Sequence, residues 1–119
     1  IEDNAFYTLH LPIALEGGPS GNVIPYNFVT NVIYYDPEWT QPALAQHAPH
    51  PMMNLIEGNH FAARIISDFT WGSASHNTYF RNRVYDGVRP QVNYGVWEMD
   101  IFKTHYFENV VGNVFGRAG

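Results

Sequence analysis

Apolar residues recur along this chain at fixed distances on either side of an asparagine. The repeated pattern is one apolar residue, two variable residues, Asn, one variable residue and a second apolar residue, and it occurs five times. The asparagines are Asn4, Asn31, Asn59, Asn82 and Asn113, separated by 27, 28, 23 and 31 residues. A second asparagine lies just before most of these units, at Asn27, Asn54, Asn77 and Asn109. Self-similarity at a period of about 20 to 50 residues is typical of solenoid proteins.

The repeated unit has the properties expected of one turn of a β-solenoid. Asn tolerates the left-handed backbone region and hydrogen-bonds to local backbone, which suits a turn between two short strands. When rungs stack about 4.8 Å apart, equivalent asparagines can form an amide ladder, and the flanking apolar residues can point inward. We therefore predict an all-β, right-handed parallel β-helix of about four to five rungs. The residues expected inside are Ile33, Phe61, Val84 and Phe115. The alternative is a β-sandwich whose turns contain Asn.

The stretches between the units indicate further strands and two loops. Apolar and polar residues alternate over residues 9–16 and 97–102, which is the pattern of a half-buried strand. Residues 34–51 are rich in Pro, Ala and Gln, and residues 85–94 form a shorter insertion, so we expect surface loops there. Residues 1–119 would then form a single β-helix segment.

Composition and charge narrow the classes of function. Hydrophobic residues make up 45% of the chain and aromatic residues 16%, which is enough for a packed core. Six Lys and Arg against eleven Asp and Glu give a net charge of -5, so no basic surface attracts nucleic acid or anionic lipid. No stretch approaches the roughly 18 apolar residues of a membrane span. The absence of cysteine excludes disulfides, thiolate nucleophiles and Cys-ligated zinc.

The two ends of the sequence bear on the partners of the chain. It begins with Ile1, shows no signal peptide, and starts inside the first repeated unit. A β-helix exposes unpaired backbone groups and apolar side chains at its terminal rungs, and neither end of this sequence has the pattern of a capping helix. We therefore expect a fragment of a longer chain, whose open rungs are covered by the rest of that chain or by other copies.

Three stretches resemble the pectate-lyase-like superfamily of right-handed β-helices. In residues 54–59 the sequence is Asn-Leu-Ile-Glu-Gly-Asn, and in residues 67–84 a Gly-Ser turn leads through Asn77 to a strand of the form Thr-Φ-Φ-x-Asn. Residues 106–115 resemble the next rung. The resemblance implies a secreted or cell-surface protein that binds or processes polysaccharide, as a lyase or a glycoside hydrolase.

The resemblance specifies the fold better than the activity. The lyase motif Arg-x-Pro-x-x-Arg is not matched, because Pro90 directly follows Arg89 and Asn93 stands where a second Arg is sought. Whether the chain is an enzyme therefore stays open. The same fold also carries non-enzymatic proteins, so the alternative function is a structural surface protein such as an adhesin, an appendage or a filament subunit.

Glu98 and Asp100 are candidate catalytic residues. In a strand their side chains share one face, opposite Trp97, Met99 and Ile101, which we expect to be buried. Two such carboxylates could act as acid and base on a sugar, or could bind Ca²⁺ together with nearby carbonyl groups. The alternative is that they are the surface charges that keep the outer face of a solenoid soluble. No other metal or cofactor is implied by them.

Asp68, His76, Arg81 and Arg83 surround the best-matched rung and are candidate substrate-binding residues. Arg81 and Arg83 would share a strand face and could bind a sugar carboxylate through paired hydrogen bonds, with Arg83 also a candidate catalytic residue. We then expect a groove formed by both arginines with Glu98 and Asp100. The alternative is that the arginines pair with acidic residues of neighbouring rungs.

Aromatic residues at or near the loops could stack on sugar rings. The two assigned to substrate binding are Trp39 and Tyr85, and Trp71 lies near the same region. Their alternative role is to pack against the solenoid wall. His47 and His50, three residues apart, could begin a metal site, but Pro49 argues against a helical ligand pair and no third ligand is apparent.

Overall fold

The computed structural model describes residues 1–33, 41–47, 49–85 and 97–116. Within these residues the chain forms thirteen short strands and no helix, and hence no helix able to span a membrane. The strands pair in parallel into three sheets, which the chain visits in the same order on each circuit. This arrangement is a parallel β-helix of about four rungs, so the predicted all-β solenoid fold is confirmed.

Each sheet receives one strand of two or three residues per rung. The first sheet contains β1 (Ala5–Tyr7), β4 (Phe28–Thr30), β7 (His60–Phe61), β10 (Arg83–Val84) and β13 (Val114–Phe115). The second sheet contains β2 (Ile13–Leu15), β5 (Leu44–Gln46), β8 (Ile65–Ser67) and β11 (Met99–Ile101). The third sheet contains β3 (Val23–Pro25), β6 (Leu55–Glu57), β9 (Thr78–Phe80) and β12 (Asn109–Val111).

Strands of successive rungs align in register, so equivalent inward positions form columns of apolar side chains. The column of the first sheet is Phe6, Val29, Phe61, Val84 and Phe115. The column of the second sheet is Ile13, Leu44, Ile65 and Met99. The column of the third sheet is Ile24, Ile56, Tyr79 and Val110. Members in the middle of each column are fully buried, whereas Val110 and Phe115 in the last rung are 42% and 43% exposed. Burial in this core therefore depends on the neighbouring rung.

A ladder of asparagines follows the turn between the third and first sheets, here called the first corner. Its members are Asn4, Asn27, Asn59, Asn82 and Asn113. The Oδ1 atom of Asn59 accepts the backbone N–H and the Nδ2–H of Asn27, at 2.8 and 3.0 Å. Asn82 accepts the same two groups from Asn59, at 3.0 and 2.9 Å. Each rung is therefore bonded to the next through side chains as well as through the sheets.

The second rung contributes Asn27 to this ladder, and the prediction of Asn31 is wrong. Asn31 is exposed and left-handed, with a φ of 52°, and its Nδ2–H donates to Thr8 Oγ1 at 2.8 Å. The apolar spacing alone does not separate the two positions, because residues 24–29 match the repeated pattern as well as residues 28–33 do. Only the pairing with neighbouring rungs decides between them.

The change of ladder residue from Asn31 to Asn27 also changes which residue of the second rung points inward. Val29 is completely buried in the first-sheet column, whereas Ile33, expected inside, is only partly buried. With Asn27 in place, the separations along the ladder are 23, 32, 23 and 31 residues. Short and long circuits of the chain therefore alternate.

The residue before each asparagine of the first corner, and not the asparagine itself, has left-handed backbone geometry. Positive φ angles occur at Asp3, Tyr26, Gly58, Arg81 and Gly112. The backbone turn is thus made one residue earlier than the sequence pattern suggests. The ladder asparagines are then free to use their side chains between rungs, which is the reason that this position requires Asn.

A second ladder follows the turn between the second and third sheets, here called the second corner. It consists of Asn22, Asn54 and Asn77, followed by Glu108 in the last rung. The residues before them are again left-handed, at Gly21, Met53, His76 and Phe107. Asn109 is exposed and lies one residue further along, in register with Thr78, so it is not the ladder residue of its rung.

The loop expected over residues 34–51 contains a strand of the core. Strand β5 is buried at all three of its residues and pairs with β2 and β8. Residues 34–40 and residue 48 lie outside the described part of the chain. Of the second expected loop, over residues 85–94, only Tyr85 is described. The sequence of β5 contains alanine and glutamine and lacks the alternation of apolar and polar residues by which a strand is recognised.

The inner face of the second sheet is polar near the second corner. Gln46 Oε1 accepts the hydroxyl protons of Ser67, at 2.9 Å, and of Tyr79, at 3.1 Å. All three side chains are buried, and burial raises the pKa of the Tyr79 hydroxyl far above its usual value. A buried hydroxyl that has a partner avoids the cost of lost hydration, so these bonds allow polar side chains inside the solenoid.

Candidate functional site

A groove of about 380 Å³ lies on the outer face of the second sheet. Its apolar lining is formed by Leu11, Pro42, Ala45, Ile66, Phe69 and Phe102. Ala45 and Ile66 are outward positions of β5 and β8, yet they are only 4% and 8% exposed. The outer face of this sheet is therefore partly covered and concave, in contrast to an ordinary solvated solenoid wall.

His47 and Asp68 form a hydrogen-bonded pair in this groove. They are the residues that directly follow β5 and β8, and the pairing of Gln46 with Ser67 places them side by side on adjacent rungs. His47 Nδ1 lies 2.5 Å from Asp68 Oδ2. Burial alone would raise the pKa of Asp68, but hydrogen bonds from His47 and from Thr70 outweigh it and lower the pKa below its usual value. Asp68 is therefore a stable carboxylate partner for the imidazole.

Trp71 supplies a second hydrogen bond to the same imidazole. Its indole Nε1–H donates to His47 Nε2 at 3.2 Å, and the two rings meet edge to face. An indole N–H can only donate, so His47 Nε2 accepts and carries no proton. The proton of the neutral ring is then on Nδ1, where it is donated to Asp68. Two side chains of the next rung, Asp68 and Trp71, thus set the tautomer of His47.

Arg64 and Asp100 form an ion pair at the same face. Arg64 Nη1 donates to Asp100 Oδ2 at 2.9 Å, and the Arg64 side chain is 1% exposed. Burial raises the pKa of Asp100 and the adjacent guanidinium opposes this, with a net rise. The pair leaves this part of the groove without net charge. It also explains how a guanidinium is kept in an apolar lining.

The rim of the groove is aromatic. The rings of Phe69 and Phe102 lie 5.5 Å apart, in a tilted arrangement, and the ammonium group of Lys103 lies 5.0 Å from the centre of the Phe69 ring. Phe69 is also partly exposed to solvent. Aromatic surface next to hydrogen-bonding groups is the combination that sugar rings require, because a sugar has an apolar face and a rim of hydroxyls.

The predicted set Asp68, His76, Arg81 and Arg83 is not brought together. Asp68 lies in the groove, whereas the exposed His76 ring contacts the Phe107 ring at the second corner, 4.8 Å away. Arg81 occupies the left-handed position of the first corner rather than a strand, so it does not share a strand face with Arg83. The expectation of one joint site at these residues is therefore wrong.

Arg83 lies instead in an aromatic row on the outer face of the first sheet. Its guanidinium is 5.6 Å from the centre of the Tyr85 ring, and His60 lies between Tyr85 and Phe28, at 5.2 and 4.9 Å. Burial, and then the positive charge of Arg83, lower the pKa of His60 and so favour its neutral imidazole. Trp39, the other predicted aromatic binding residue, lies outside the described residues.

Glu98 and Asp100 do not form one site either. Asp100 is paired with Arg64, a residue of the groove lining, whereas Glu98 borders a separate hollow of about 390 Å³ in the last rungs. Trp97 and Ile101, expected to be buried, are each 38% exposed. In the described residues no group of three or more His, Asp or Glu side chains is close enough to hold a metal ion.

Two groove residues escape sequence reasoning for different reasons. His47 lies at the end of β5, which resembled a loop, so its alignment with Asp68 was hidden. Arg64 gave no signal, because it follows two alanines and lies outside the repeated units. A search for polar residues directly after each strand would have found His47 and Asp68, since parallel strands bring such positions together.

No protein-family model, curated protein or solved structure matches this chain. The fold defines it as a parallel β-helix, with a partly covered groove on the outer face of one sheet.

Proposed function

We propose that the groove on the second sheet binds a neutral carbohydrate chain, one or two sugar units at a time. The protein would then be an extracellular polysaccharide-binding member of the pectate-lyase-like superfamily of β-helices. The observation that supports this is an apolar floor bordered by the His47–Asp68 pair and by partly exposed aromatic rings. The groove also falls within the volume range of ligand pockets, about 300 to 1,000 Å³.

The charges of the groove favour a neutral sugar over an acidic one. Arg64, the guanidinium of the lining, is neutralised by Asp100. Asp68 adds a carboxylate, held charged by its hydrogen bonds from His47 and Thr70. A uronate would therefore meet the negative charge of Asp68 in a lining whose guanidinium is already paired, and another cation, Lys103, lies at the rim over the Phe69 ring. The hydroxyls of a neutral sugar can instead donate to Asp68 and bond to Thr70, while its apolar face packs on Ile66.

Filling the groove tests the proposal. The variant Ile66→Trp places an indole on its floor, and we expect the affinity for neutral oligosaccharides to fall at least about tenfold, measured by calorimetry across a panel of neutral and uronate-containing hexamers. Phe28→Trp is the matched control, because it adds the same side chain to the outer face of the first sheet. Ala45→Leu is a milder change on the adjacent rung, in case Ile66→Trp folds poorly.

Three results would contradict the proposal. One is equal affinity of Ile66→Trp, Ala45→Leu and the parent protein for a neutral oligosaccharide. Another is tighter binding of the uronate hexamers than of the neutral ones. The third is no binding to any hexamer by the folded parent protein, which would favour the structural role of a surface or filament subunit.

A further inference from the structure

Trp71 is placed as a removable cap on His47, a residue of the groove lining. Its side chain is 65% exposed and does not line the groove, whereas its hydrogen-bond partner His47 does. The indole is joined to His47 by one hydrogen bond of 3.2 Å and an edge-to-face contact with ring centres 6.4 Å apart. An exposed ring held mainly by one bond can leave its place at small cost when that bond is lost.

Protonation of His47 removes that bond. In the neutral ring Nε2 is an acceptor, but the imidazolium carries protons on both nitrogens and can only donate. The indole N–H and the new Nε2–H would then face each other as two donors. The other side of the ring is unaffected, because Asp68 accepts the Nδ1–H in both states. The imidazole therefore keeps its position while its bond to Trp71 is broken.

We propose that Trp71 caps His47 at neutral pH and that acid releases this cap, exposing Nε2 to an oxygen atom of the bound sugar. This deepens the proposed carbohydrate-binding function and rests on it for the identity of the ligand. Release of the cap is a property of the protein alone. It can therefore be tested whether or not a sugar binds.

The charged groups around His47 are consistent with a switch at this ring. Asp68 is bonded to it, and the lowered pKa of Asp68 keeps this side chain a carboxylate well into the acid range. Glu16 occupies the equivalent outward position on the preceding rung, since Leu15 pairs with Gln46. Arg64, which lines the same groove, is already neutralised by Asp100. Among the described residues, His47 is the imidazole that lines the groove, and the ring of His10 lies next to the groove, 3.2 Å from the amide nitrogen of Gln41.

The first experiment uses the free protein. The indole N–H resonance of Trp71, assigned with Trp71→Phe, is followed by NMR from pH 8 to pH 5, together with the ring nitrogens of His47. We expect a protonated Nδ1 and a bare Nε2 at pH 8. As Nε2 gains its proton, the Trp71 indole N–H resonance should shift and lose its protection from solvent exchange relative to the indole N–H of Trp97. The indole of Trp97, at the separate hollow, serves as the internal control. An indole signal that ignores the titration of His47 overturns the inference.

The second experiment measures binding of the neutral hexamer at pH 7.5 and pH 5.5. If the cap blocks the site, only the uncapped fraction of the protein can bind, and the apparent affinity is reduced in that proportion. We therefore expect the apparent affinity for the hexamer to rise about three- to tenfold at the lower pH. Trp71→Phe cannot donate to Nε2 and should bind at both values as tightly as the parent protein does at pH 5.5. Trp97→Phe should behave like the parent protein.

The outcomes separate the cap from the proposed function. Hexamer binding that is blocked by Ile66→Trp, but is independent of pH and of Trp71, keeps the groove as a carbohydrate site and overturns the cap. Release of the Trp71 indole on acidification without binding of any hexamer supports the cap and removes carbohydrate as its ligand.

Discussion

The two corners of this β-helix have the same backbone but different ladders. At both corners a left-handed residue precedes the ladder position in every described rung. The first corner has Asn at all five ladder positions, whereas the second ends in Glu108 after three asparagines. Backbone geometry is therefore not what distinguishes the two ladders. The difference lies in the hydrogen-bonding capacity of the side chain.

Asparagine suits the ladder because it both accepts and donates. In the middle of the first corner, Asn59 accepts two bonds from Asn27 and donates through Nδ2 to Asn82 and to the carbonyl of Ile24. A carboxylate can only accept. Glu108 takes a bond from Asn77 at 3.0 Å through Oε1, while its buried Oε2 has no partner among the described residues. Burial accordingly raises the pKa of Glu108. A ladder of side chains can end at Glu but cannot continue through it.

Removing a central ladder residue should have the largest effect. Asn59→Ala strips the acceptor from two buried donors of Asn27, so we expect the free energy of unfolding to fall by about 3 kcal/mol in urea denaturation. Asn54→Ala is the counterpart at the second corner, and its loss of unfolding free energy should be about 1 kcal/mol smaller. The N–H groups that lose their acceptor there belong to the exposed Asn22 and can bond to water instead. Asn109→Ala is the surface control, with an expected loss below about 0.5 kcal/mol. Equal losses at Asn59 and Asn109 would mean that the ladder contributes nothing.

The left-handed positions offer a second comparison of the corners. Both Gly58, with a φ of +61°, and Gly21, with a φ of +66°, precede a ladder asparagine, but a Cβ at Gly58 would lie 2.6 Å from the Tyr26 ring, whereas one at Gly21 meets open space. We expect Gly21→Ala to cost about 1 kcal/mol from backbone strain and Gly58→Ala about 2 kcal/mol, measured by thermal and urea unfolding. In a Tyr26→Asn background the two costs should become equal. A difference that persists there would show that Tyr26 is not its cause.

Replacing Glu108 in the second ladder by Asn should have the smallest effect on stability. Glu108→Asn replaces an acceptor by a residue that also donates. We expect the free energy of unfolding to rise by about 0.5 to 1 kcal/mol at pH 7, allowing for solvent screening of this half-buried side chain.

The pH dependence of stability tests the cause of this gain. Because the folded state raises the pKa of Glu108, stability is lost as the pH rises from the usual pKa of Glu through the raised one. The advantage of Glu108→Asn, and of Glu108→Gln, should therefore vanish in acid. Unfolding free energies measured from pH 3 to pH 8 test this, and an advantage that is independent of pH would exclude the buried charge as its origin.

The repeated pattern around asparagine was sufficient to predict the class of fold. In the repeated pattern, one apolar residue lies three positions before Asn and another lies two positions after it. Both apolar side chains then point inward, and the Asn amide lies between rungs. Asn4, Asn59, Asn82 and Asn113 all lie in the first-corner ladder. These relations are local, because they depend on a single turn of chain whose geometry is set by its own residues.

Pairing between rungs decided what the local pattern left open. Residues 24–29 and 28–33 both satisfy the pattern, and only registration against the rungs on either side selects Asn27 over Asn31. The ladder role of Glu108 depends in the same way on its alignment with Asn77. Such choices are made by contacts across about 23 to 32 residues of chain, which no local window contains.

The candidate site was determined almost entirely by the tertiary structure. Asp68 was predicted to bind ligand, but its partner His47 lies 21 residues earlier, directly after a strand that lacks apolar alternation. Arg64 meets Asp100 across 36 residues. Sequence alone determined that the chain would coil into stacked rungs, since inward side chains and turn asparagines are properties of each rung. Which outward side chains meet is decided by the length of each circuit, because a parallel β-helix places residues together by register rather than by proximity along the chain.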